Sequence, residues 1–157
     1  GIVCKENGIA YIGLGGNKAR VLISKDFGDN WSIVETPLLH GSGSKGIYSI
    51  AFKVELNGVA VGGNWVNPEC DSSKVYTNNG GQTWYLSEGI QDFRSCVTYI
   101  QDDTYISTGT SGTDVSYNGG KSWTLLDSIG FNAIKINPDR HGVAVGSFGR
   151  IAEVELQ

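Results

Sequence analysis

Four arginines, Arg20, Arg94, Arg140 and Arg150, are the residues of this chain best suited to ligand recognition. A guanidinium grips a carboxylate through two parallel N–H···O bonds. Gathered around one axis, the four would suit a carboxylated sugar, with Tyr48 or Glu35 beside them as the partner that glycoside hydrolysis needs. Spread over the surface or between structural units, they are ordinary structural residues. A second candidate is the stretch from Trp65 to Asp71 with Asn64 before it. There Asn64, Trp65, Asn67, Glu69 and Asp71 mix an aromatic with amides and carboxylates, a composition that can stack a sugar or a peptide or simply form a solvated loop. From these sets Arg94, Arg150, Trp65 and Tyr48 are the candidate ligand-binding residues, and no residue is assigned a catalytic role.

Other chemistry is poorly served. In Gly13-Leu14-Gly15-Gly16 the third glycine of a dinucleotide fingerprint falls on Lys18, and a strand rather than a helix is expected to follow. Gly120-Lys121-Ser122 resembles the end of a phosphate-binding loop, yet Val115 stands where its first glycine belongs. His40 and His141 are each unaccompanied, and Cys4, Cys70 and Cys96 are an odd number without C-x-x-C spacing. No metal site or cofactor is therefore expected, although cation binding by loop oxygens stays open. The cysteines read as ordinary thiols, one disulfide remaining open. Asn30-Trp31-Ser32, formally a glycosylation sequon, lies inside a turn and is read as coincidence.

The elements that would position these residues are short strands. The chain has 157 residues, 39% hydrophobic and 18% charged, enough for one folded domain. Its 23 glycines, seven tyrosines and four tryptophans against three prolines suit strands joined by tight turns. The net charge of −4 forms no basic stripe, which argues against nucleic acid as a partner. No apolar run approaches the roughly 20 residues of a membrane-spanning helix. No stretch of a dozen residues carries a helical apolar face.

Strands are predicted at residues 2–4, 9–14, 20–24 and 32–35, then at 48–53, 58–64, 74–77 and 84–87, then at 96–100, 105–108, 114–116 and 122–126. A fourth set at 133–137, 142–147 and 151–156 stops before a fourth strand. Asn7-Gly8 and Asn57-Gly58 are expected to form type I′ turns between first and second strands. Residues 40–46 and 65–71 are expected to be the long loops. The predicted architecture is all-β, a β-propeller of four-stranded antiparallel blades, about three and a half of them: residues 1–46, 47–93, 94–130 and a partial 131–157.

Three copies of one pattern end the third strands: Ser24, Asp26, Gly28 and Trp31; Thr77, Asn79, Gly81 and Trp84; Ser116, Asn118, Gly120 and Trp123. Their Asp or Asn positions are separated by 53 and 39 residues, bracketing the spacing of about 40–50 expected for four-stranded blades. The carboxylate or amide can bond turn amides, the glycine can take a left-handed conformation, and each indole can fill the gap to a neighbouring blade.

The pattern resembles the Asp-box, or bacterial neuraminidase repeat, with Asn30 the one departure from Thr or Ser. Further stretches, Gly41 to Phe52, Gly58 to Gly63, Phe93 to Cys96, Ser111 to Ser116 and Gly146 to Ala152, resemble the C-terminal half of bacterial propellers related to photosystem II stability factors. That resemblance implies an exported, extracytoplasmic protein about twice this length. It implies a non-enzymatic binding or assembly scaffold, with a sialidase-like glycoside-binding or hydrolysing propeller as the alternative. A chain that starts at Gly1 and has no Met is expected to be a processed or excised product. A missing N-terminal half or a homodimer would close the ring, with a protein or a glycan as the partner.

Overall fold

The structure is a computed structural model that describes residues 1–54, 56–137 and 139–155. It is almost entirely β. The strands run β1 (Ile2–Cys4), β2 (Ala10–Gly16), β3 (Arg20–Ser24), β4 (Ser32–Glu35), β5 (Ser42–Phe52), β6 (Gly58–Asn64), β7 (Lys74–Thr77), β8 (Tyr85–Leu86), β9 (Glu88–Gly89), β10 (Cys96–Gln101), β11 (Thr104–Gly109), β12 (Gly112–Ser116), β13 (Ser122–Asp127), β14 (Ala133–Ile136), β15 (His141–Val145) and β16 (Ile151–Glu155), with one 3₁₀ turn at Ser147–Gly149. The last strand was expected to reach Leu156, which lies outside the described residues.

Consecutive strands pair antiparallel, so each unit is an up-and-down sheet: β1 to β4, β5 to β8, β10 to β13, and three-stranded β14 to β16. Val, Ile and Tyr alternating on pleated strands bury one row of side chains against each neighbouring sheet. The apolar core is accordingly split into gaps. Tyr11, Val21 and Ile23 of the first unit meet Ile50, Phe52, Val75 and Trp84 of the second. Val59 and Val61 meet Val97, Tyr105 and Trp123 across the next gap, and Ile106 and Val115 meet Ile134, Ile136 and Ala144 across the third. In the first gap the Tyr11 and Phe52 rings stack at 3.9 Å, with Trp84 edge-on to Phe52 at 6.1 Å. Burying each such ring contributes about 2–3 kcal/mol.

Two local expectations are corrected. Residues 40–46, expected to be a loop, supply the first part of β5 from Ser42 onward, and Gly46 and Ser42 pair with Gly15 and Gly16 of β2. A Cβ on Gly46, whose φ is +142°, would run into the Gly15 Cα, so the two glycines permit the backbones to touch and join the first two sheets. The hairpin turns are not type I′ either, because neither Asn7 nor Asn57 has a positive φ. In the first turn Gly8 alone is left-handed, and its N–H donates to the Lys5 carbonyl at 3.1 Å, giving a longer loop with a bulge. The short parallel pairing of β9 with β13, which ties the end of the second unit to the outer strand of the third, was not anticipated.

Candidate functional site

The three Trp-ended loops share one wiring. In the first, the Gly28 N–H donates to Ser24 Oγ at 2.9 Å, Ser24 Oγ donates to Asp26 Oδ1 at 2.9 Å, and the Asn30 N–H donates to the same carboxylate at 2.9 Å. Thr77, Asn79, Gly81 and Thr83 repeat this set at 2.9–3.0 Å, as do Ser116, Asn118, Gly120 and Ser122. Gly28, Gly81 and Gly120 all lie at φ between +80° and +96°, where a side chain is strained. In the first loop the Asn30 side chain and backbone bonds hold the Asp26 carboxyl below its ordinary range. Asn30 thus replaces the usual hydroxyl residue by bonding Asp26 Oδ2 through its own amide at 2.8 Å.

These loops are braces between units. A Cβ on Gly81 would press on Tyr11 and Ile23, and one on Gly120 would press on Val59 and Tyr76, so each loop sits on the unit before it. Trp84 and Trp123 are 5% and 1% exposed in these gaps. Trp31 differs: it is 40% exposed, with no sheet against its loop among the described residues. The expectation that all three indoles fill a gap is met by two among the described residues, Trp84 and Trp123.

The second and third units share a buried charge cluster that the sequence pattern did not reveal. Lys74 of β7, Arg94 before β10 and Asp114 of β12 have fully buried side chains. Arg94 donates to both Asp114 oxygens, Nε and Nη2 each at 2.7 Å, and Nη1 donates to the Phe93 carbonyl at 2.8 Å and Ser111 Oγ at 3.0 Å. Lys74 Nζ lies 3.1 Å from Asp114 Oδ2, donates to the Ile90 carbonyl at 2.7 Å, and sits 5.8 Å from the centre of the Trp123 ring. Burial in this low-dielectric gap lowers the Lys74 ammonium to about 8, although Asp114 pulls the other way. Two cations thus share one carboxylate. The available signal was charge at the centre of short β patterns, Ser73-Lys74-Val75-Tyr76 and Thr113-Asp114-Val115, where charged residues are depleted.

Arg94, expected to meet a ligand, is therefore turned inward, with four hydrogen bonds to acceptors of the chain. The other arginines do not join it. Arg20 bonds exposed Glu35 at 3.1 Å, and with Lys18 holds that carboxyl below its ordinary range. Arg140 donates to Gln101 at 3.1 Å, and Arg150 donates to the Gly130 carbonyl at 3.0 Å while lying 6.0 Å from the Phe131 ring. Because strands alternate in direction, the second-to-third-strand loops and the links between units share one end of the sheets, and the first-to-second-strand turns and Trp-ended loops share the other. Trp65, Arg94 and Arg150 fall at the former end, Arg140 at the latter.

At that loop end Trp65 is 58% exposed beside exposed Val66, and its N–H donates to the Ser44 carbonyl at 3.3 Å. Tyr48 Oη donates to the same carbonyl at 3.2 Å, and its ring meets Phe93 edge-on at 5.0 Å. The Phe93 N–H in turn donates to the Pro68 carbonyl at 2.8 Å, so the loop carrying Trp65 is tied at its start to β5 and further along to the buried Phe93 in the link before β10. Burial raises the Tyr48 phenol. Glu69, Cys70, Asp71, Gln91 and Asp92 line an open polar groove nearby, and burial pushes the Cys70 thiol up. Cys4, Cys70 and Cys96 are free thiols. Among the described residues no three His, Cys, Asp or Glu side chains are placed to hold a metal ion, and no helix is long and apolar enough to cross a membrane.

Radially repeated four-stranded sheets, packed face to face with a recurring wiring between their third and fourth strands, define a β-propeller segment. Solved structures bear the fold out. The chain is similar to YCF48 bound to D1 peptide at 19% identity and a TM-score of 0.69, over 98% of this chain and 50% of that one. It is similar to Kuenenia stuttgartiensis hydrazine synthase at 13% identity and a TM-score of 0.69, over 98% and 45%. An ancestral GH74 enzyme matches at 17% identity and a TM-score of 0.65, over 92% and 21%. The chain spans about half the length of the first two. No family model matches it, and no curated protein does.

Proposed function

We propose that this chain belongs to a non-enzymatic binding or assembly propeller whose loop end, centred on Trp65, receives a segment of a protein partner. The observation that carries the reading is the contrast between the two candidate sets. The four arginines are committed to four different partners, one of them fully buried, whereas Trp65 and Val66 stand exposed on a loop bonded to β5 and to the buried Phe93. An indole has only two rotatable side-chain bonds, so it loses little conformational freedom on binding. The solved complex of YCF48 with D1 peptide, in a protein of the same fold, supports a peptide as ligand.

We further take the three Trp-ended loops to be Asp-boxes, the units to be residues 1–46, 47–93, 94–130 and 131–157, and the setting to be extracytoplasmic, which fractionation of the expressing cell tests. A glycoside role is the second reading, supported by the likeness to a GH74 enzyme and by an exposed indole that can stack a sugar. Parallel peptide and glycan arrays probed with the chain and with Trp65→Ala separate the two. Peptide binding lost in the variant supports the scaffold reading. Glycan binding lost in the variant supports the second, and equal binding by both proteins refutes the site.

A further inference from the structure

The surface around Trp65 carries charge of one sign. Residues 64–73 and 87–93, the loop of the second unit and the link to the third, hold Glu69, Asp71, Glu88 and Asp92 and no Lys or Arg. Glu69, Asp71 and Asp92 line the open groove between these two segments, with Cys70 and Gln91. The groove adjoins Trp65. A Cβ on Gly63, two residues before it, would meet Cys70 Sγ at 2.7 Å, and the Val66 N–H donates to Asn64 Oδ1 at 3.1 Å, which fixes the turn that presents the indole.

The walls of the groove are cross-tied. The Ser73 N–H donates to Gln91 Oε1 at 3.0 Å, Ser73 Oγ donates to the Asp92 carbonyl at 2.9 Å, and Gln91 Nε2 donates to the Ser87 carbonyl at 2.8 Å. Cys70 Sγ donates to the Gln91 carbonyl at 3.5 Å. The carboxylates, by contrast, are uncommitted: among the described residues Glu69, Asp71 and Asp92 enter no ion pair, and Glu69 and Asp71 are exposed. Lys74, whose ammonium lies 3.5 Å from the Asp92 carbonyl, is spent on Asp114.

Resting on the reading of Trp65 as the docking residue, we propose that the protein segment received there is basic. An apolar side chain of the segment lies on Trp65 and Val66, and a neighbouring arginine enters the groove between Glu69, Asp71 and Asp92. Like charges lining a groove focus their field at its mouth and speed the approach of a cation. A guanidinium both forks onto a carboxylate and stacks on an aromatic face, so one residue type engages the two halves of this surface.

An array of short random peptides is probed with the chain and its variants. The bound peptides are expected to be rich in arginine beside an apolar residue and to bind less in about 0.5 M salt than in about 0.05 M. Glu69→Gln with Asp71→Asn weakens them at least about fivefold, as the loss of two exposed charge pairs implies. Glu69→Lys with Asp71→Lys selects acidic peptides instead. Asp29→Asn with Glu153→Gln removes the same charge elsewhere on the surface and leaves binding unchanged; an equal loss there overturns the proposal. Neutral or acidic peptides that need Trp65 but not Glu69 and Asp71 overturn the basic ligand and leave Trp65 as a docking residue. Basic peptides that bind Trp65→Ala as tightly, or no bound peptide at all, overturn both readings.

Discussion

Replacing Asp114 by Asn removes the one carboxylate that lies between two buried cations. Its two 2.7 Å bonds from Arg94 and its 3.1 Å contact with Lys74 are lost or weakened together. Breaking a buried ion pair from one side costs about 3–5 kcal/mol, because the orphaned charge stays desolvated. The two cations respond differently. Lys74 already titrates near 8, so shedding its proton at pH 7 costs little more than 1 kcal/mol and less once the carboxylate is gone. Arg94 cannot shed its proton and keeps as acceptors the Phe93 carbonyl, Ser111 and one uncharged amide oxygen at position 114. A loss of about 3 kcal/mol is therefore expected for Asp114→Asn, lowering the Tm by roughly 6–12 °C for a chain of this size. Urea unfolding followed by tryptophan fluorescence measures it. Adding Arg94→Met to Asp114→Asn should recover more stability than adding Lys74→Met. A loss below about 1 kcal/mol, or the reverse order of recovery, refutes the account of the cluster.

The same cluster sets a pH dependence. Between pH 8 and 10.5 the unfolded chain holds a proton on Lys74 that the folded chain has given up, so stability rises with pH, on the order of 3 kcal/mol across the interval. Above about pH 10 the sign turns, because burial raises the Tyr105 phenol and the unfolded chain then holds fewer protons. Denaturation midpoints should peak near pH 10, and Lys74→Met should flatten the rise below it. Among the tryptophans, Trp123→Ala should cost about 3–5 kcal/mol by opening a cavity, whereas Trp31→Ala, which removes an exposed indole, should cost this chain about 1 kcal/mol or less by the same urea assay.

The strand pattern and the three loops are legible in the sequence because they are local. Alternation and a hydroxyl, Asn or Asp, glycine and Trp at fixed offsets fix backbone turns within a dozen residues, and the observed bonds among Ser116, Asn118, Gly120 and Ser122 follow from those offsets. The first part of β5 is not legible in this way: Gly-Ser runs read as loop, and pairing with Gly15 and Gly16 of β2 and with Gly63 and Asn64 of β6 turns Ser42 to Gly46 into strand. Arg94 stands out for its chemistry, yet its direction depends on Asp114, 20 residues away on another strand.

What the sequence determined by itself is the repeat: four short strands, a wired turn and an indole, specified by neighbours along the chain. Which indole is buried and which arginine is spent on a buried carboxylate were decided only by the stacking of sheets. Those properties depend on what lies across an interface, and residues far apart in sequence meet there only after the sheets have packed.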